Sequence, residues 1–341
     1  MEPESIPIVD LSQLKDVENV AEDPEWKSIA NNVRQGLGSV GFLYLINHGI
    51  PEETVSKVFA QSHEFFSLPT SIKQKYLKNT SSESEIFNLE NYFGYQPPGG
   101  EKLHPDANFE LKETFDWLYG VGVYPSEELP DFESSIEQFD AQCKNLLKKL
   151  LRLLAIGLNL DDVDYFVKTC RHFEDPENYN GIYNVRLILY PPIAEGKSLP
   201  AGAVRCGEHS DYGFLTLLFQ DDVGGLEVKN VDGEWVHAKP IPGSILVNTG
   251  DLTEFWTCGI FPATPHRIII PEDVNDSKRR KARYSVAFFN GPDKDTVIHP
   301  MQMEKKPHEM KRTSKYANRS TGEPVTAYDH MMGRVAKQYG H

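Results

Sequence analysis

Hydrophobic and polar positions along this chain follow two different rhythms. In the first half the rhythm is mixed: IPIVDL at 6–11 reads as a short strand, whereas Trp26, Ile29, Val33 and Leu37 fall on one face of a helix. Asp23 followed by Pro24 marks the start of that helix, because an aspartate oxygen accepts from free first-turn amides and proline has no amide to satisfy. VGFLYLINHGI at 40–50 predicts a buried strand ended by a glycine turn, and a second helix is expected from Pro51 to about Phe66. Residues 80–112, rich in Pro, Gly and polar side chains, are expected to form a long loop; the Gly99-Gly100 pair there lacks the G-K-S/T that a phosphate cradle needs. From Ser134 to Asn159 the helical period returns in Phe139, Cys143, Leu146, Leu147, Leu150, Leu151 and Leu154, predicting a long bracing helix.

After Tyr183 the period shortens. YNVRLILY, FLTLLF, GLEVKN, EWVHA, SILVN, HRIII and RYSVAFF follow one another at regular spacing, separated by Gly, Pro and Asp, which indicates an all-β sandwich or barrel. Thr326, with Asp329 three residues on, reads as the cap of a closing helix.

Composition narrows the partners. A length of 341 residues with 39% apolar content supports a sizeable core, and a formal net charge of −15 argues against nucleic acid or an anionic membrane as partner, since both demand a basic face. The basic run SKRRKAR at 277–283 is read as a solvated loop, with nuclear access left open. The 4 cysteines show no C-x-x-C spacing and are too few for a disulfide framework, as expected of reduced thiols. No signal peptide or membrane span is expected, and the expected setting is cytoplasmic.

Candidate chemistry centres on GEHSDYGFLTLLF. In a regular strand His209 and Asp211 point the same way while Ser210 points opposite. Two ionisable side chains heading an apolar strand suggest a metal site; a ferrous 2-His-1-carboxylate triad needs one more imidazole and leaves other positions open. His266, at the head of HRIII, is the candidate. H-x-D is a common pattern, and in the second copy, His104-Pro105-Asp106, the proline opposes strand geometry. RYSVAFF puts Arg283, Ser285, Ala287 and Phe289 on one face. An arginine in so apolar a run needs a partner, and a carboxylate matches its fork, with Ser285 adding a further hydrogen bond. In VRLILYPP, Arg186, Ile188 and Tyr190 share a face; for Arg186, reaching out to solvent competes with a ligand contact.

IPIVDL, GFLYLINHG, FFSLP followed by lysines, LYPP, GEHSDYGFLTLLFQDDVGGLEV, PIPGSILVNTGDL, TPHRI and RYSVAFF together resemble the Fe(II)/2-oxoglutarate-dependent dioxygenases, in the branch similar to isopenicillin N synthase. Fungal and bacterial members such as thymine 7-hydroxylase are nearest in texture, and the resemblance spans almost the whole chain. It implies iron ligation by His209, Asp211 and His266, and a 2-oxoglutarate site in which Arg283 and Ser285 bind the distal carboxylate with Tyr190 as a further contact. It implies Fe(II), 2-oxoglutarate and O2, with ascorbate as an accessory reductant, and release of succinate and CO2. By analogy with thymine 7-hydroxylase, Arg186, Tyr212 and Phe289 would line the substrate pocket, which for Tyr212 requires a turn at Gly213. Ile188 and Cys258 depart from the family pattern, standing where many relatives carry asparagine; the first bears on co-substrate contacts and the second on a turn.

The expected fold class is α+β: a double-stranded β-helix, or distorted jelly-roll, core at 180–300, an N-terminal region of strands, helices and a long loop at 1–125, bracing helices at 126–179, and a C-terminal segment and helix at 301–341. The 80–112 loop and the C-terminal segment are expected to cover the open end. The leading expectation is a 2-oxoglutarate-dependent dioxygenase that hydroxylates or desaturates a small metabolite. A 2-oxoglutarate-independent non-haem iron oxidase and a catalytically silent binding module are the alternatives; intact ligands count against the second. Neither the substrate nor the oligomeric state is written in the sequence.

Overall fold

The computed structural model describes residues 5–78, 93–100, 109–175, 181–194, 199, 203–270, 277–301 and 324–339. Eight strands form a major sheet in the order β1 (Ile8–Asp10), β2 (Phe42–Ile46), β12 (Ile245–Thr249), β9 (Leu215–Gln220), β14 (Arg283–Asn290), β6 (Asn184–Tyr190), β5 (Glu113–Trp117) and β3 (Gly94–Gln96). Four form a minor sheet in the order β11 (Trp235–His237), β10 (Leu226–Lys229), β13 (His266–Ile268) and β8 (Cys206–His209). Short pairs join β4 (Phe109–Glu110) to β7 (Ala203–Val204) and β15 (Val297–Ile298) to β16 (Val325–Thr326). From β8 to β14 the chain passes back and forth between the two sheets, which is the winding of a double-stranded β-helix.

The period of two in these strands divides the interior into two cores. On the outer face of the major sheet, Val185, Leu187, Leu217, Phe219, Val247, Val286 and Phe288 pack with the helices α1 (Pro24–Val40), α2 (Glu52–Ser67) and α4 (Phe132–Gly157); the four-residue α3 (Thr70–Lys73) lies between the last two in the chain. On the inner face, Ile188, Tyr190, Leu246 and Ala287 meet Leu226, Val228 and Ile268 of the minor sheet. The long bracing helix is α4, with Phe139, Cys143, Leu147, Leu150 and Leu151 all buried. Phe65 of α2 lies 4.7 Å from Phe115 of β5 and 5.7 Å from Phe132 of α4, so truncating it to alanine is expected to remove about 3–5 kcal/mol.

Helix α1 starts as its sequence predicts: the Asp23 carboxylate accepts from the amides of Glu25 at 2.9 Å and Trp26 at 3.0 Å. It ends at Gly41, whose φ of 77° suits glycine, and a Cβ there would collide with the Thr264 side chain and the Pro262 carbonyl. That close approach seats the segment leading into His266.

The structure corrects the expectation of an unbroken loop at 80–112. Within it, Gly94–Gln96 forms the edge strand β3, paired antiparallel with β5, and Phe109–Glu110 forms β4. His104, Pro105 and Asp106 lie outside the described residues. Cys258 sits at φ 49°, a left-handed conformation that asparagine tolerates better than most residues, so the departure at this position is a departure in a turn.

Candidate active site

The three residues singled out for metal binding converge between the sheets. His209 ends β8 and His266 opens β13; the strands pair with these residues opposite each other, ring centroids 4.2 Å apart. Asp211 is not on the strand with His209. It follows β8 in the turn to β9, so alternation along one strand, which the sequence suggested, is not what aims it. Hydrogen bonds do: Thr216 Oγ1 donates to Asp211 Oδ2 at 2.5 Å, and Asn248 Nδ2 donates to the same oxygen at 2.7 Å. Oδ1 is left facing the imidazoles, 3.9 Å from His209 Nε2 and 3.7 Å from His266 Nε2. One ligand atom from each of these residues lies within 4.8 Å of the others, and among the described residues no other group of His, Cys, Asp or Glu does this.

Both rings are oriented from behind. His209 Nδ1 donates to the Gly207 carbonyl at 2.8 Å, and His266 Nδ1 donates to the Thr264 carbonyl at 3.2 Å. A carbonyl can only accept, so each neutral ring carries its proton on Nδ1 and presents the Nε2 lone pair to the cavity. Burial pushes the His266 pKa down to about 4, with the adjacent His209 adding to the shift, so the ring is neutral at ordinary pH. For Asp211, burial acts to raise the pKa, but the two imidazoles and the Asn248 and Thr216 hydrogen bonds outweigh it and hold the carboxyl below its ordinary value. A carboxylate oxygen with two imidazole nitrogens is the donor set of a ferrous facial triad.

In the same cavity Arg283 is fully buried. Its Nη1 donates to Ser285 Oγ at 3.3 Å, its Nη2 donates to Gln220 Oε1 at 3.2 Å, and its guanidinium lies 5.0 Å from the centre of the Tyr190 ring. Those hydrogen-bond partners are neutral, and among the described residues Nε has none; Asp221 acts on the guanidinium only electrostatically. No carboxylate among the described residues hydrogen-bonds to this arginine, and a buried cation in this state is costly until an anion arrives.

Arg186 does not reach out to solvent. It is buried, its Nε donates to Asp116 Oδ1 at 2.6 Å, and its guanidinium sits 5.6 Å from the Phe289 ring. The buried Asp116 also accepts from Asn184 Nδ2 at 2.5 Å and pairs with Lys78. Lys112, another cation on the cavity wall, lies 2.8 Å from Glu110 Oε2, while Glu110 Oε1 accepts from the Gly207 amide at 3.2 Å. Tyr212 is half-buried and is absent from the cavity wall, whereas Phe289 and Ile188 belong to it. Sequence reasoning missed Thr216 and Asn248, although each is a polar residue inside an apolar strand; it missed Lys112, which lies at the end of the stretch read as loop, and Asp116, which follows it.

Two family models match the chain: the N-terminal model of "non-haem dioxygenase in morphine synthesis" over residues 6–133, and the 2OG-Fe(II) oxygenase superfamily over residues 178–292. Homoarginine-6-hydroxylase 2-ODD-C23.2 of Arabidopsis thaliana is 30% identical over 352 aligned positions, covering 98% of this chain and 89% of its own. The chain belongs to the Fe(II)/2-oxoglutarate-dependent dioxygenases. A 2-oxoglutarate-dependent dioxygenase of Dothideomycetidae sp. is 31% identical, covering 77% of this chain and 80% of its own. The structure of full-length Neurospora crassa thymine 7-hydroxylase with alpha-KG and thymine gives a TM-score of 0.76 at 28% identity, covering 98% of this chain and 97% of that one. Like its family, this dioxygenase is an oxidoreductase that uses Fe(II), 2-oxoglutarate and O2. The site fits them: a nitrogen and carboxylate donor set suits Fe(II), and a buried arginine short of an anion suits a dicarboxylate. No described helix is long and apolar enough to cross a membrane.

Proposed function

We propose that His209, Asp211 and His266 hold the iron, that Arg283 and Ser285 bind the distal carboxylate of 2-oxoglutarate with Tyr190 stacked beside them, and that Arg186 and Phe289 face the substrate. Arg283 carries this reading: it is 0% exposed, its partners are neutral, and it opens on the cavity that holds the His-Asp-His cluster. With iron, co-substrate and O2 bound, the cofactor set supplies the oxidising power that hydroxylates a substrate carbon and releases succinate and CO2. The chain's own part is to bind, orient and exclude water. Both imidazoles turn Nε2 to the cavity, Asp211 stays anionic, and Ile188, Leu218 and Ala287 give the cavity an apolar wall.

The substrate is proposed to be a small molecule presenting oxygen acceptors. Lys112 and Arg186 are the cations that face it, and Asp211 is the one carboxylate among the described lining residues. Both cations are already paired, with Glu110 and Asp116, so a guanidino substrate, as the name of the Arabidopsis relative implies, would find no lining carboxylate but the metal ligand Asp211; the thymine bound by the Neurospora enzyme presents carbonyl oxygens, which N–H donors meet. A cytoplasmic setting is part of the same proposal, supported by Cys143, Cys170, Cys206 and Cys258, all thiols outside any disulfide.

The test is spectroscopic. Anaerobic protein titrated with Fe(II) and then 2-oxoglutarate is expected to develop a visible charge-transfer band only after both additions, weakened in Arg283→Ala. Iron binding without a band in the wild type would overturn the co-substrate assignment. Succinate release stimulated by thymine and not by L-homoarginine is expected for the substrate class; the reverse would overturn it.

A further inference from the structure

Both family models stop by residue 292, and no described residue of the C-terminal helix α6 (Ala327–Tyr339) lines the cavity. The helix is nevertheless connected to the carboxylate ligand. Its start is fixed by a cap: Thr326 Oγ1 accepts from the Asp329 amide at 3.0 Å and donates to Asp329 Oδ2 at 2.7 Å. The amides of Ala327 and Tyr328 donate to the carbonyls of Thr296 at 2.9 Å and Lys294 at 3.2 Å, and Ala327 is fully buried. One turn on, His330 lies against the short helix α5 (Asp251–Trp256). Its ring stacks on Phe255 at 5.3 Å, and its Nε2 lies 3.3 Å from Oδ2 of the fully buried Asp251, an ion-pair distance without hydrogen-bond alignment.

Asp251 opens α5, and the first amides of a helix have no acceptor within it. Here they donate to the ligand loop: the Asp251 amide to the Asp211 carbonyl at 2.8 Å, and the Leu252 amide to the Tyr212 carbonyl at 3.2 Å. From the same junction Gly250 donates to the Phe214 carbonyl at 3.0 Å, while the Phe214 amide donates to the Asn290 carbonyl at 2.6 Å. Residues 211–214 are thus clamped between α5 and the end of β14. The clamp has no slack, since a Cβ on Gly250 would collide with the Gly213 carbonyl and one on Gly213 with the Asn290 carbonyl.

We infer that His330 is a positioning residue for the iron site, acting through Asp251 to fix where α5 grips the backbone of Asp211. A helix of six residues has little stability of its own and takes its place from its contacts. His330 contributes two of those contacts, one to the carboxylate and one to the Phe255 ring. A shift of α5 carries the Asp211 carbonyl with it, and Oδ1 then loses its alignment with the two Nε2 atoms. The inference rests on the proposed iron site and extends it to a residue outside both family models.

The experiment uses the full chain. Fe(II) is titrated anaerobically, with 2-oxoglutarate present, into the wild type, His330→Leu and His330→Gln; the visible band is recorded, and the Tm of each metal-free protein is measured in parallel. Leucine keeps the helix and the packing on Phe255, whereas glutamine restores a donor near the place of Nε2. His330→Leu is expected to bind Fe(II) about tenfold more weakly, with His330→Gln within about threefold of wild type, as for substitutions that orient a ligand from behind. A lower Tm for His330→Leu with Fe(II) affinity and band unchanged would make the residue merely structural and overturn the inference. If His330→Leu does not fold, Phe255→Leu, which loosens the seat of His330, is read the same way: weaker Fe(II) binding supports the role and unchanged binding overturns it. A wild type with no iron-dependent band sinks the iron-site reading itself, while a wild-type band that the variants leave unmoved sinks only the role of His330.

Discussion

At the iron end of the cavity each donor is held by another group of the chain, whereas at the anion end the decisive cation lacks a full set of partners. His209 and His266 donate backward to carbonyls, and Asp211 Oδ2 accepts from Thr216 and Asn248. Arg283, equally buried, has neutral hydrogen-bond partners and, among the described residues, an Nε without one. The difference teaches where ligand binding energy goes. The metal meets a preformed set of lone pairs, so its affinity reflects organisation already present in the folded chain. The co-substrate relieves an electrostatic cost that the folded chain carries by itself, so its affinity reflects the removal of strain.

The comparison breaks most visibly at the ligands. Asp211→Ala is expected to abolish Fe(II) binding, measured by metal analysis after anaerobic gel filtration; retained stoichiometric iron would show that the cluster is not the site. Next comes the arginine. Arg283→Met is expected to weaken 2-oxoglutarate binding by about 2–5 kcal/mol, the usual cost of removing one member of a buried charge pair, or at least ~30-fold in Kd. The same substitution is expected to raise the Tm of the metal-free protein, because a buried cation with neutral partners gives way to a thioether. Opposite signs for binding and stability would sharpen the contrast between the two ends, and a fall in both would erase it.

Smaller effects separate the ends further. Asn248→Ala is expected to weaken Fe(II) binding about tenfold, while 2-oxoglutarate affinity at saturating iron changes little; equal losses in both titrations would mean that the ends are not independent. Ser285→Ala removes one neutral partner of Arg283, and the expected loss is about 0.5–1.5 kcal/mol in co-substrate binding, with Fe(II) affinity unmoved.

Much of this was legible in the chain. The Asp23-Pro24 start of α1, the apolar stripe of α4 and the Thr326 cap of α6 follow from local chemistry, and the structure bears them out. His209, Asp211 and His266 could be named because ionisable residues heading apolar strands are conspicuous, and Arg283 because it interrupts one. The edge strand β3 was hidden, since its three residues sit in a stretch dominated by Pro and Gly. The fate of Arg186 was equally hidden: its partner Asp116 is 70 residues away in sequence.

Sequence by itself determined the long helices and most of the core strands, which faces are apolar, and which side chains can ligate a metal, because those properties depend on residues within a turn or two of one another. Only the tertiary structure decided how Asp211 is aimed, since its orienting donors arrive from β9 and from β12, the latter 37 residues on. It also decided that Arg283 is left with neutral company, and that a helix near the C-terminus bears on the ligand loop through Asp251. Those outcomes turn on which distant atoms come within about 3 Å of each other, and hydrophobic periodicity carries no information at that range.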